Sequence, residues 1–149
     1  MATAFYPNVG FHFSVAFEGL GDENDTMFQQ VQGLESSVEM EEYIEGGENR
    51  YKHYLPTRIN YSDLTLVRGS LPNSEVTKWC LEAMEQFKFR PINLMISLLN
   101  KEHQPLISWY AHDAIPLRWK LSDLHAERSE LHLETLTLKI KYFNTIISS

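Results

Sequence analysis

Residues 28–49 read FQQVQGLESSVEMEEYIEGGEN, and the parsing of this stretch decides the fold. It opens as a short apolar segment, turns at Gly33 and continues as a strand-like piece crowded with glutamates. It then breaks at Gly46-Gly47. Six residues from Glu35 to Glu48 are Glu and none is Lys or Arg, which by composition alone describes a solvated strand face running into a loop. Phe28–Leu34 and Ser37–Ile44 therefore read as two strands, with Gly33 as a bulge or tight turn between them. Glu45–Pro56 reads as a loop of about twelve residues, near the length at which a loop in a compact domain is usually functional or disordered. It carries the mixed run Arg50-Tyr51-Lys52-His53-Tyr54.

Upstream, Val9, Phe11, Phe13, Val15 and Phe17 alternate with Gly10, His12, Ser14 and Ala16. That period of two predicts a half-buried strand over Val9–Phe17. Gly19–Asp25 is rich in Gly, Asp and Asn and reads as a loop. Downstream, Thr57–Val67 reads as a strand whose parity slips: Ile59 and Tyr61 share one face, Leu64 and Leu66 the other. The same slip recurs in Glu130–Phe143, between the pair Leu131, Leu133 and the set Leu136, Leu138, Ile140, Tyr142. A one-residue slip sends side chains to the opposite face. Two of them predict long strands that bulge, or that bend from one packed sheet to another.

Ser74–Phe87 is the one helix the pattern supports. Asn73 or Ser74 caps it, Glu75 suits its first turn, and Pro91 stops the chain beyond it. Val76, Cys80, Ala83, Met84 and Phe87 form its apolar stripe, with Trp79 beside it. A buried Phe87 would cost roughly 3–5 kcal/mol on truncation to alanine. Ile92–Leu99 and Leu106–Ala111 read as strands of a hairpin through Asn100–Pro105, Ala111–Pro116 as a bend, and Ser122–Ser129 as a polar loop. The class is mainly β: about eight strands in a small sandwich or barrel with one flanking helix, in a single domain over residues 1–149.

Composition narrows the function. The net charge of −7 opposes a general nucleic-acid or anionic-membrane binder, which needs clustered Lys and Arg. A single cysteine, Cys80, excludes an internal disulfide framework and fits a reducing compartment. The N-terminus lacks the basic-then-apolar pattern of a secretory signal, and Ile92–Leu99 is too short to span a bilayer, so no membrane anchor is expected. Six histidines (His12, His53, His103, His112, His125 and His132) include no helical i, i+4 pair and meet no C-x-x-C. No metal site or cofactor is expected. Cys80 has no His–Asn or His–Asp pair placed by sequence to activate it, and the acids imply no cleft, so no enzyme is expected.

The order of motifs resembles the tail-tube family of contractile phage tails and phage-tail-like injection systems. F-x-x-V-x-G-L falls at Phe28–Leu34 and includes Gly33 and Leu34; Y-x-E-G-G-x-N falls at Tyr43–Asn49. The family's L-x-L-x-R-G falls at Leu64–Gly69, with Arg68 and Gly69 closing it. Trp109, Pro116 and Trp119, then Asp123-Leu124-His125-Ala126, are similar to its W…P-x-x-W…D-L-x-A succession. The resemblance covers more than 100 residues. It implies a β-barrel subunit, six to a ring, with rings stacked into a rigid hollow tube inside a contractile sheath. Its implied partners are other copies, the sheath, baseplate and spike adaptors, and lumenal cargo. Glu45, Gly46, Gly47, Glu48, Asn49, Arg50, Tyr51 and Lys52 would form a loop reaching the next ring. Type VI secretion tube proteins share this assembly, so a ring acting mainly as effector carrier is the nearest alternative; a ligand-binding barrel of the lipocalin kind is a more distant one.

Overall fold

The computed structural model describes residues 12–21, 26–44, 46–47, 50–122 and 132–147. Within them lie ten strands and one helix. In chain order they are β1 (His12–Phe17), β2 (Met27–Phe28), β3 (Gln30–Gln32), β4 (Ser36–Tyr43), β5 (His53–Tyr61) and β6 (Leu64–Gly69). Then come α1 (Glu75–Gln86), β7 (Ile92–Leu99), β8 (Pro105–Leu121), β9 (Leu133–Lys139) and β10 (Tyr142–Ile147). Val9–Phe11, Asp22–Asp25, Glu45, Glu48, Asn49, Asp123–Ser129 and Glu130–Leu131, each part of an element expected from sequence, lie outside the described residues.

The strands run β2-β1-β7-β8-β9-β6-β3, every pair antiparallel. The two ends of that path, β2 and β3, are consecutive in the chain and separated only by Gln29, whose N–H donates to the Val67 carbonyl at 2.9 Å. The path therefore returns on itself as a small barrel. Strand β10 branches from β8, and β4 pairs with β5 alone as a separate two-stranded ribbon. Val15, Phe17, Leu64, Leu66, Leu94, Ile96, Leu136 and Leu138 fill the interior, every one of them buried.

The expected bend at Ala111–Pro116 lies inside a single strand of 17 residues, a correction to the sequence reading. Two bulges bend it. His112 and Asp113 together oppose Asn93, with Asp113 at φ 51 and its N–H held by the Asn93 side chain at 3.0 Å. A second register shift falls between Pro116 and Arg118. Proline cannot donate to a ladder and is tolerated in a strand at such a bulge. A bulge adds a kink and twist, so β8 serves β7 and β10 with its first half and β9 with its second.

The two parity slips have different causes. In Thr57–Val67 the strand ends: β5 stops at Tyr61, Ser62-Asp63 intervene, and β6 starts at Leu64 in another sheet. The expected loop is shorter than twelve residues because His53–Pro56 already belongs to β5. In the C-terminal segment no bulge falls inside β9. Its inward positions are Glu134, Leu136 and Leu138, so the slip marks a glutamate in a core-facing place. The expected long strand does break further on, at Ile140-Lys141, before β10.

The helix is capped as expected: the Ser74 hydroxyl accepts from the Thr77 N–H at 3.1 Å. Val76, Trp79, Cys80 and Ala83 are buried. The Trp79 ring meets Phe17 edge-on at 5.7 Å, and its Nε1–H donates to the Arg90 carbonyl at 2.8 Å. The stripe ends earlier than expected. Phe87 is 83% exposed and adopts φ 55, ψ 36 as the helix cap, with the Lys88 N–H closing on the Glu82 carbonyl. Its burial is thus overturned, because the left-handed cap turns the chain off the barrel before Phe87 reaches it. Phe87→Ala should change stability by no more than about 0.5 kcal/mol. Phe87→Gly, which relieves the left-handed cap of its Cβ, should add about 1 kcal/mol. Urea midpoints of the two variants check both signs.

Candidate assembly surface

The β4–β5 ribbon is unlike the rest of the molecule. Every residue of β4 is exposed, and so is every residue of β5 except its two ends. Directly opposed residues share a face, so pairing sorts the side chains. Val38 opposes Ile59 and Met40 opposes Pro56, giving an apolar patch in which Val38, Met40 and Ile59 are each more than half exposed. On the other face Glu39 opposes Arg58, with Oε2 to Nε at 3.4 Å, and Glu41 follows. A two-stranded ribbon is marginal in water unless something packs on it. An apolar face of this kind marks an interaction site.

The ribbon joins the barrel at one level of both strands. Between β3 and β4 the chain passes Gly33–Glu35; between β5 and β6 it passes Ser62-Asp63. The Ser62 N–H donates to the Glu35 carbonyl at 3.2 Å. Gly33 has φ +97, and a Cβ there would stand 1.9 Å from the Asp63 carbonyl oxygen. Glycine is required on both counts, for its backbone conformation and for the approach of the second strand. Leu34 packs against the core next to this joint.

Below the joint, β6 and β9 place two opposite charges inside the barrel. Arg68 and Glu134 are direct cross-strand partners and are 2% and 1% exposed. Arg68 Nε donates to Glu134 Oε1 at 2.9 Å, and its Nη2 donates to the Ser74 hydroxyl at 2.7 Å. Thr77 Oγ1 and Trp119 Nε1 donate to Glu134 Oε2 at 2.6 and 2.7 Å. Arg68 also lies over the Phe28 ring, 4.8 Å from its centroid. The network ties the helix N-terminus to three strands. Buried charges require such pairing and complete hydrogen bonding. Cys80 is buried close by, and its thiol is pushed up to about 12, first by burial and then by the Glu134 carboxylate, with Arg68 opposing. At neutral pH it is an uncharged thiol and a poor nucleophile.

Two motif residues singled out in the sequence, Arg68 and Trp119, thus meet in one network. Gly69 closes β6 opposite Leu133, Trp109 packs partly buried against the core, and Pro116 is fully buried at the second bulge. Asp123 lies outside the described residues. Sequence reasoning missed Glu134, Ser74 and Thr77 as partners of Arg68. The available signal was the broken alternation at Glu134. At the ribbon's distal end, Gly46 and Gly47 are exposed with open space around them, Gly47 at φ +91. Tyr51 is exposed and meets the His53 ring at 5.0 Å, with Tyr43 stacked on the same ring at 5.1 Å. Arg50 is exposed, and Lys52 pairs with Glu42 at 3.4 Å. Glu45, Glu48 and Asn49 are outside the described residues.

A filled barrel carrying an amphipathic, uncovered ribbon defines a building block, a subunit whose surface is completed by other chains. Residues 9–144 match the family model of the T4-like virus tail tube protein gp19, and the chain belongs to that family. Among solved structures it is similar to a chain of the anti-feeding prophage baseplate, 6-fold symmetrised. The identity is 26% over 91% of each chain, with a TM-score of 0.74. It is also similar to a chain of the sheath-tube complex of an extracellular contractile injection system, PVC, in the extended state. There the identity is 23% over 97% of this chain and 95% of that one, with a TM-score of 0.74. Hcp1 from Salmonella typhimurium shares the fold at 11% identity over 95% and 88% of the two chains, with a TM-score of 0.57. No curated protein sequence matches the chain. The protein is a structural tube subunit.

Proposed function

We propose that six copies of this chain close into a ring and that rings stack into the hollow inner tube of a contractile injection particle. The tube is driven through a target envelope and conducts cargo. The observation that carries this reading is the uncovered apolar face of β4–β5 on a chain of the tail tube family. Sixfold symmetry in the prophage baseplate and the sheath-tube complex of the PVC system support it. The partners are then further copies, a sheath and baseplate adaptors, in a phage-tail-like particle. The role is structural rather than catalytic. A ligand barrel is disfavoured because buried side chains occupy the interior. Native mass and negative-stain images test the proposal. The expected result is a six-fold multiple of the chain mass and rings or tubes with a central hole. A monomer at every concentration, also with sheath and baseplate partners present, would overturn it.

The distal end of the ribbon, residues 45–52, is in this reading the contact to the next ring. The β4 acids and the basic residues Arg50 and Lys52 make stacking head to tail and charge-complementary, which sets polarity more than affinity. Arg50→Glu with Lys52→Glu is expected to keep the fold, since the exposed Lys52–Glu42 pair contributes at most about 1 kcal/mol. Tubes should become shorter or absent. Wild-type tubes should also form less readily as salt rises, because exposed charges are screened beyond about 8 Å at physiological ionic strength. Equal tube lengths for mutant and wild type at low salt, measured by electron microscopy, would remove these charges from assembly.

A further inference from the structure

We propose that His12 and His103 form a two-histidine clip for one divalent transition-metal ion, of which zinc and nickel are representatives. The two residues are 91 positions apart, and the fold brings them together. His12 opens β1 opposite Leu99, the last residue of β7, and the turn carrying His103 starts at the next residue. That turn is tied to Asn100. The Asn100 side-chain oxygen accepts from the Glu102 and Gln104 N–H groups at 2.9 and 3.0 Å, and its carbonyl accepts from the His103 N–H at 3.0 Å. His103 is thereby held at φ 61 with its ring against His12.

The ring geometry carries the inference. His12 Nε2 and His103 Nδ1 are 3.0 Å apart, and the ring centroids 4.7 Å apart with planes at 66°. A straight N–H···N bond of that length would set the centroids about 5.3 Å apart. Two imidazoles aimed at one ion about 2.0 Å from each nitrogen would, at this nitrogen separation, have centroids about 4.7 Å apart. The rings are canted as a chelating pair is. His103 is exposed and His12 half-buried, so an ion has an entry path and water can fill its other positions. Among the described residues no three His, Cys, Asp or Glu are placed to close around an ion, so within them the clip has two protein ligands. Imidazole suits zinc and nickel and is ill suited to magnesium or calcium, which choose oxygen. The bound ion would pin the first strand to the β7–β8 turn and raise stability through mass action.

The test uses the untagged full chain with zinc chloride and, separately, nickel chloride. Calorimetry should give one equivalent bound. With zinc, imidazole nitrogen resonances of His12 and His103 should move together, and the melting temperature should rise. His12→Ala and His103→Ala should each weaken binding at least about tenfold, the loss that removal of an outer-shell partner alone can cause. Neither variant should retain the thermal shift. Equal affinity in the wild type and the double variant, or zinc shifts confined to His53, His112, His125 or His132, would overturn the clip. So would an absence of heat and of resonance shifts at millimolar zinc, which would leave the two rings joined by a hydrogen bond alone.

Discussion

Arg68→Ala is expected to cost about 3–5 kcal/mol, the usual cost of leaving one member of a buried ion pair behind. The guanidinium is the group that matches the Glu134 carboxylate in charge. Without it, Glu134 keeps only the Thr77 hydroxyl and the Trp119 N–H as donors, in a site 1% exposed. The Ser74 hydroxyl that caps the helix loses the Arg68 donor and keeps the Thr77 N–H. Urea denaturation should record the loss. Hydrogen exchange should rise first in Glu75–Gln86, because the network is what fastens that helix to β6 and β9. The companion variant separates charge from packing. Arg68→Met with Glu134→Leu removes both ions and should recover much of the deficit, as replacing buried pairs by apolar groups commonly does. A loss under about 1 kcal/mol in Arg68→Ala would mean that water reaches Glu134 and that the pair is not what fixes the helix.

Gly33→Ala is expected to be nearly as severe, at about 3–4 kcal/mol, by combining backbone strain with a collision. The new Cβ would meet the Asp63 carbonyl oxygen at 1.9 Å and its carbon at 2.9 Å. Both atoms are backbone, so no side chain can rotate out of the way. The two strands of the joint must then separate, and the ribbon should change its angle to the barrel. Gly47→Ala is the control. It has φ +91 with nothing within 4 Å, so it pays only the conformational preference, roughly 1 kcal/mol. Chemical denaturation of the two variants should give clearly unequal losses. Similar values would show that the approach of Asp63 to Gly33 is not a constraint. Because the joint orients the ribbon, Gly33→Ala should also impair ring closure under conditions where the chain remains folded.

The strand at Phe13, Val15 and Phe17 was legible because one face meets the core and the other does not, which writes a period of two into the sequence. The helix start was legible for a similar reason, since Ser74 is a cap with a local partner. Its end was not. Phe87 has the spacing of a buried residue, and spacing carries no trace of the left-handed turn that carries it off the barrel. The strand β8 was cut short in the reading because Asp113 and Pro116 look like terminators; the bulges that tolerate them are long-range features of Asn93 and β9. Arg68 and Trp119 stood out as motif residues, but their shared partner Glu134 did not. Alternation arguments treat a charge as an outward residue, whereas this one points in because another strand supplies the counter-ion. The ribbon was legible as acid-rich strand, while its apolar face required the register of Val38 with Ile59.

Closure of the barrel also determines where a waiting chain is open to wrong partners. A closed sheet offers no border on which a stray strand can add. Among the described strands, those outside the path β2-β1-β7-β8-β9-β6-β3, namely β4, β5 and β10, each keep an unpaired border. The first is studded with Glu39, Glu41 and Glu42, so two such borders laid together would bring like charges face to face. The second contains Pro56, which cannot donate to an incoming strand. Both sides of the ribbon are therefore poor templates for indiscriminate sheet growth, although its apolar face remains open to packing. At the ribbon, a partner is therefore favoured where it approaches the face rather than the border.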